Sequence, residues 1–416
     1  MASVVLLGTL DTKGAEYEFL RNRVREFGCE VILVDAGVLS ASSAADISAD
    51  DVAAAAGEDR AALAAAHDRG PAVAAMTRGA VETIRRLYAE GRLDGILGVG
   101  GSGGSSIVAA AMQALPVGVP KLLVSTMASG DTRPYVGTFD IAMMYSVVDI
   151  SGINGLSEKI LTNAAAGIAG MAAASAAFVS EIEPRPLIGA TMFGVTTPCV
   201  TTAREWLEAH GYEVLVFHAT GAGGQSMEAL MKSGFITGAL DATTTELVDE
   251  LVGGVLSAGP DRLEMAGSLG IPQVVSLGAL DMCNFGPRDT VPAQFSDRNL
   301  YVHNATVTLM RTTEEECAEL GRIIARKLNL AKGPLTVFIP LGGVSMIAVP
   351  DAPFYDAAAD AALIRELKAG LRPDVAVVEM ATDINDPAFA TAMAERLDAQ
   401  YRAWVAAKAL GEGGPA

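Results

Sequence analysis

The densest run of residues suited to chemistry is Gly98-Val99-Gly100-Gly101-Ser102-Gly103-Gly104-Ser105-Ser106. Glycine lets backbone N–H groups come close to a ligand, and a helix starting just after such a loop favours phosphate or carboxylate. The run opens as G-x-G-x-x-G, but no acid follows near position 120 to hold a ribose. It also lacks the Gly-Lys-Ser/Thr ending of a P-loop. The spacing therefore predicts an anion cradle built from Gly100, Gly101, Ser102, Gly103, Gly104 and Ser105, or else a tight strand-to-helix packing turn. Thr126, Ser129, Gly130 and Asp131 follow the next apolar run and bring hydroxyls plus a carboxylate suited to magnesium or a ribose hydroxyl. Asp11, Thr12 and Lys13 offer an acid and a cation to the same edge, although Asp11 or Thr12 would serve equally as a helix cap.

A second group lies in the carboxy-terminal half. His218 precedes Ala219-Thr220-Gly221-Ala222-Gly223-Gly224, a position suited to a general acid or base. His303 stands in His303-Asn304-Ala305-Thr306 and is the second candidate. His210 and His67 read as helix residues without a ligand role. Asp281 is expected as an orienting carboxylate, Arg311 as an anion clamp, and Cys283 as a nucleophile only if a histidine lowers its pKa. Gly194, Thr196, Thr197, Thr220, Gly221, Asp241, Thr244 and Glu246 complete an expected substrate rim, with capping as the competing role of Asp241 and Glu246.

These residues need a scaffold that gathers them. Short apolar runs alternate with longer amphipathic stretches, the sign of βα units and a parallel sheet. The expected fold is α/β, with two Rossmann-like doubly wound parallel-sheet domains and a cleft between them. Charge and proline at Glu181-Ile182-Glu183-Pro184-Arg185-Pro186 place the boundary, giving residues 1–183 and 184–416. The glycine- and threonine-rich segments then fall at the carboxyl ends of strands, where open α/β sheets bind ligands. The uncharged, Ala-rich stretch 164–180 reads as a closely packed buried helix and not a membrane span.

Composition narrows the partners. Thirty Lys and Arg against 49 Asp and Glu leave a net charge of −19, which disfavours nucleic acid and anionic membranes. Backbone donors still allow a small anionic ligand to bind. Cys29, Cys199, Cys283 and Cys317 form no C-x-x-C pair, so a disulfide framework and a zinc ribbon are not expected, and no metal ligand set is assigned. The start carries no basic leader, and a cytoplasmic location is expected.

With these segments in view, the chain resembles an uncharacterised bacterial and plant family that includes the ATP-binding amino-terminal domain of the tomato mosaic virus resistance protein. The resemblance covers essentially the whole chain. It is carried by Gly8-Thr9-Leu10-Asp11-Thr12-Lys13-Gly14, Gly100 to Ser105, Ser125 to Asp131, Phe217 to Gly221, Asp241 to Glu246 and His303 to Arg311. It implies two Rossmann-like subdomains, a tendency to form homodimers, and ATP, with or without magnesium, as ligand. It supplies no reaction. The expectation is thus ATP binding with the phosphates on Gly100 to Ser106. The alternative is a hydrolase or lyase acting on a small carboxylated or phosphorylated compound between the domains.

Overall fold

The computed structural model describes residues 1–180, 183 and 185–410. Two compact units make up the chain, Met1–Ile182 and Glu183–Ala416. Of the expected boundary segment, Glu181, Ile182 and Pro184 lie outside the described residues.

The first unit holds β1 (Ser3–Gly8), β2 (Glu30–Asp35), β3 (Gly95–Gly100), β4 (Lys121–Ser125) and β5 (Ala142–Tyr145) in one parallel sheet, ordered β2-β1-β3-β4-β5. Strand side chains alternate between the two faces, and both faces are covered. Val5, Leu7, Val34, Ile96 and Leu123 pack with Met76, Ile84, Val108 and Met112 on one side. Val4, Leu6, Leu33, Leu97 and Val124 pack with Tyr17, Leu20, Leu161 and Ile168 on the other. The near-continuous apolar strands of the sequence are the consequence.

Local details depart from the sequence reading. Neither Asp11 nor Thr12 is the helix cap weighed above: the helix already begins at Leu10 with Thr9 as its N-cap, and it breaks at Lys13 (φ −129°, ψ 25°). The glycine run is likewise mostly helix, because Ser102–Gln113 begins inside it. Residues 164–176 of the Ala-rich stretch belong to the helix Gly155–Ala176, but Gly170, Met171 and residues 173–180 are exposed, so the helix packs on one face only and is not the buried helix expected. Among the described residues no helix is long and apolar enough to cross a membrane.

The second unit repeats the plan. Its β6 (Leu187–Met192), β7 (Glu213–His218), β8 (Ile236–Thr243), β9 (Gln273–Gly278), β13 (Leu335–Pro340) and β14 (Ala376–Met380) form a parallel sheet ordered β14-β13-β9-β8-β6-β7. Between β9 and β13 the chain inserts β10 (Met282–Phe285), β11 (Leu300–Asn304) and β12 (Val307–Arg311), a small antiparallel sheet that the βα reading did not anticipate. The two parallel sheets make each unit a Rossmann-like α/β fold.

Candidate functional site

In both large sheets the chain order reverses beside the first strand, between β1 and β3 in the first unit and between β6 and β8 in the second. Loops leave such a point in opposite directions and open a crevice at the carboxyl ends of the strands. In the first unit Tyr17 holds that crevice. Its hydroxyl donates to the Leu7 carbonyl at 2.6 Å and accepts from the Val99 N–H at 2.7 Å, bridging β1 and β3 just past their last pairing, Leu7 with Gly98. Gly8 makes room, since a Cβ there would lie 1.9 Å from the Tyr17 hydroxyl. Burial pushes the Tyr17 phenol far above its usual pKa, so it stays a neutral structural donor.

A cavity of about 610 Å³ lies at this switch point, a size typical of small-molecule sites. One wall is the amino end of helix 102–113. Its first N–H groups have no acceptor within the helix, and the N-cap, Gly101, has no side chain to offer one. Ser48, Asp59, Asp68 and Asn154 each cap another helix of this unit through their side chains. The glycine-rich start of helix 102–113 has no such cap.

The glycines of the motif divide into two kinds. A Cβ on Gly98 would lie 2.3 Å from Val108, and one on Gly100 would lie 2.9 Å from the Ser105 nitrogen, so these two are required by strand-to-helix packing. Gly101, Gly103 and Gly104 are different. A Cβ on them would come no closer than 3.8 Å, 3.2 Å and 3.8 Å to any neighbour, and none has a positive φ. Neither packing nor backbone conformation calls for glycine there. All three line the cavity, together with Gly100 and Ser102.

Around the cradle stand Thr9, Asp11, Thr12 and Lys13 from the β1 end. One Asp11 oxygen accepts the N–H groups of Val38 and Leu39 at 3.0 and 2.9 Å, while the other is buried without a partner. The Lys13 ammonium donates to the Ile150 carbonyl. Asp35 accepts the N–H groups of Leu10, Gly37 and Ser42, so it organises both neighbouring loops from the inside.

Several lining residues escaped the sequence reading. Arg69, at the start of helix Arg69–Ala89, makes no ion pair or hydrogen bond among the described residues, and its Nη2 is the atom nearest the missing Cβ of Gly103. His67, read as a helix residue, has φ 51° and stands between two helices on the cavity wall. Asp149 lies on the same rim, and Val38, Leu39, Leu63, Ala64, Ala72, Val73 and Ile107 form an apolar side. The cavity lining thus combines open N–H groups, the Lys13 and Arg69 cations and the Asp11, Asp68 and Asp149 carboxylates with apolar residues.

Other expected ligand groups have structural duties. The Ser105 hydroxyl donates inward to the Gly100 carbonyl at 3.1 Å and pairs with Ser125 at 2.7 Å. Thr126, Ser129, Gly130 and Asp131 are not among the residues lining the cavity. Asp131 is tied to Arg133 at 2.8 Å, which holds its carboxyl at about 2, so it is not the free carboxylate anticipated for magnesium. Among the described residues no group of three or more His, Cys, Asp or Glu could hold a metal ion.

In the second unit the glycine-rich helix start lies elsewhere, after β7, and this helix, Ala222–Lys232, is closed by the protein itself. Glu246 Oε1 accepts the N–H groups of Gly221 and Gly224 at 2.8 and 3.0 Å. Its other oxygen accepts from Arg262 Nε at 2.7 Å, and Arg262 also donates to Asp241 at 2.6 Å and Glu228 at 3.3 Å. Asp241, Glu246 and Arg262 are almost fully buried. The two acids expected at a substrate rim are therefore internal counterions. Thr244 and Thr196 are buried too, with Thr196 paired to Thr243 at 2.7 Å, while Thr197 bonds back to the Phe193 carbonyl. Gly194 and Thr220 are exposed, and Gly221 adopts φ 82° against the Ser257 carbonyl.

The expected catalytic residues do not present free groups in one place. Asp281 is wholly buried, pushed up to about 6 by desolvation, and accepts from the Ser345 hydroxyl at 2.8 Å. Arg311 is buried and spent on Asp360 at 2.7 Å and Thr312 at 2.9 Å, which replaces the anion-clamp reading. Cys283 is buried beside Asp249, and both desolvation and that charge raise its thiol pKa, so it is no nucleophile. His218 ends β7 and His303 lies on the β11–β12 hairpin, both exposed and without a ring hydrogen bond among the described residues. His210 caps the carboxyl end of helix Thr197–Ala209, in keeping with its reading as a helix residue, and stacks on Trp206 with ring centroids 3.6 Å apart.

The profile of the N-terminal domain of the uncharacterised protein family UPF0261 matches residues 2–177, and that of its C-terminal domain matches residues 185–401. A UPF0261 protein of Clostridium tetani is 54% identical over 397 residues, covering 95% of this chain and 98% of its own. The ToMV resistance protein Tm-1(GCR237) of Solanum lycopersicum is 40% identical over 413 residues, covering 94% of this chain and 55% of its own. Among solved structures, the Streptomyces sp. SF2575 glycosyltransferase SsfS6 is similar over 95% of this chain and all of its own, at 12% identity and a TM-score of 0.19. With both domain profiles and close relatives in agreement over nearly its whole length, the chain belongs to the uncharacterised protein family UPF0261.

Proposed function

We propose that the first unit binds ATP or a closely related nucleotide at the β1/β3 switch point. The observation that carries this reading is the set Gly101, Gly103 and Gly104, glycines that the fold does not need and that line a cavity at an uncapped helix start. In this reading the phosphates lie on the open N–H groups, where the helix dipole adds attraction. Arg69 and Lys13 supply the positive charge, and the apolar side takes the base. The unpartnered Asp11 oxygen suits a ribose hydroxyl or magnesium better than the paired Asp131 does.

Equilibrium dialysis with labelled ATP, ADP, AMP, adenosine and NAD tests the reading. Affinity is expected to rise with phosphate number and to fall at least tenfold, about 1.4 kcal/mol, in Gly103→Asp, which sets a carboxylate in the cradle. Wild-type affinity in that variant, with native circular dichroism, would remove the phosphates from this loop.

A further inference from the structure

The second unit carries another cavity, of about 390 Å³, at the opposite edge of its sheet from the switch point. Gly333 to Leu335 at the start of β13 and Asp374 to Ala376 at the start of β14 form its floor, and helix Pro387–Ala409 passes over it. Open α/β sheets place their usual ligands at the carboxyl ends of strands, so this amino-end cavity is independent of the nucleotide reading.

Its polar groups are unusual for a protein of net charge −19. Two guanidinium groups, of Arg372 and Arg396, line it. Arg372 stands 3.3 Å from Asp374, whose side chain is 72% exposed, a pair in which water weakens the attraction. Arg396 has no carboxylate partner among the described residues. Its Nε donates to the Thr336 hydroxyl at 2.9 Å, which orients the head group and leaves its two terminal nitrogens without a protein acceptor. Gln400, one turn further along the same helix, donates to the same hydroxyl at 2.9 Å. Gln400 is 8% exposed, and its carbonyl oxygen is buried without a donor. A buried acceptor left unmatched is costly, so a group that donates to it gains selectivity.

We infer that this cavity binds a small oxyanion that also offers a hydroxyl donor, hydrogen phosphate or the head of a hydroxycarboxylate. Arg396 and Arg372 take the anionic oxygens, and the Gln400 carbonyl accepts the O–H. Sulfate matches hydrogen phosphate in size and charge but has no O–H at neutral pH, which makes the pair a direct probe of the Gln400 contact.

The experiment is hydrogen–deuterium exchange on the full chain with inorganic phosphate, glycolate or sulfate at matched ionic strength. Phosphate or glycolate is expected to slow exchange across 372–376 and 396–403, with whichever binds naming the source of the oxyanion. Sulfate should protect at least threefold less. Arg396→Gln should abolish the protection with native circular dichroism, and Gln400→Leu should reduce the better ligand to the sulfate level. Protection that is absent from these segments, or unchanged in Arg396→Gln, overturns the site. Equal protection by all three anions overturns the hydroxyl requirement. Protection of 100–106 in the same titration reports the first unit separately.

Discussion

The two units have the same strand order around their first strand, and each has a glycine-rich helix start, after β3 in the first and after β7 in the second, yet they treat it in opposite ways. In the second unit Glu246 places its carboxylate on the N–H groups of Gly221 and Gly224. A Cβ on Gly224 would lie 2.2 Å from that carboxylate, and one on Gly223 would lie 1.7 Å from the His218 carbonyl. In the first unit no carboxylate of the described residues caps the cradle, and a Cβ on Gly101, Gly103 or Gly104 would meet nothing closer than the end of the Arg69 side chain, 3.2 Å from Gly103. One anion hole is filled by the protein's own carboxylate and has become part of the core. The other is left open, and in the reading proposed above it takes an anion from outside. A glycine motif alone does not tell the two apart; what a Cβ would meet does.

The strongest way to break the comparison is Arg262→Leu. It leaves Asp241, Glu246 and Glu228 buried without their counterion, and breaking such a network costs about 3–5 kcal/mol. Urea denaturation should show the second unit unfolding far earlier, with ATP affinity intact wherever the first unit is folded. If stability is unchanged, the Glu246 carboxylate is not held as described.

Acidity separates the units next. Burial pushes Asp249 and Asp281 of the second unit up to about 6, with Asn284 and Ser345 respectively opposing the shift. These folded values lie above the unfolded value of about 4, so the folded state binds more protons between about pH 4 and pH 6. Stability of the second unit therefore falls as pH rises through that window, by on the order of 1–3 kcal/mol for each group. Melting curves at several pH values check this, with Asp281→Asn expected to flatten the dependence. A second unit that grows more stable from pH 4 to 6 would contradict the burial of these carboxyls.

Paired glycine substitutions follow. Gly224→Ala should destabilise by about 1–3 kcal/mol, because the methyl meets Glu246 and Arg262. Gly103→Ala should leave stability unchanged or raise it by up to about 1 kcal/mol, since alanine suits a helix better than glycine. Its cost should appear in ligand affinity. Equal stability losses in the two variants would erase the distinction. The smallest effect is expected of Arg69→Gln, about tenfold in ATP affinity and little for adenosine. A uniform loss for both ligands would show that Arg69 shapes the cavity and does not meet phosphate.

The parallel sheets were legible because buried strands in this architecture are continuous apolar runs, as in Val4 to Leu7 and Leu122 to Val124. The glycine run also announced itself, although its helical start at Ser102 did not, since glycine is a poor helix former. Arg69 and His67 left only the faint signal of Asp68 as a cap, and the approach of Arg69 to Gly103 and the place of His67 on the cavity wall are tertiary facts. Asp241 and Glu246 looked like ligand groups because the partner that neutralises them, Arg262, lies in Gly259-Pro260-Asp261-Arg262, a segment that reads as a solvated turn. The antiparallel sheet escaped because its strands are four or five residues long and its hairpin exposes His303 and Asn304.

The most direct measurement is a calorimetric titration of ATP with magnesium into the wild-type chain, Gly103→Asp and Glu246→Gln. A single saturable site in the wild type that is lost in Gly103→Asp and kept in Glu246→Gln, despite its lower melting temperature, is the predicted result. Binding that survives Gly103→Asp with the fold intact would contradict the assignment of the open cradle to the first unit.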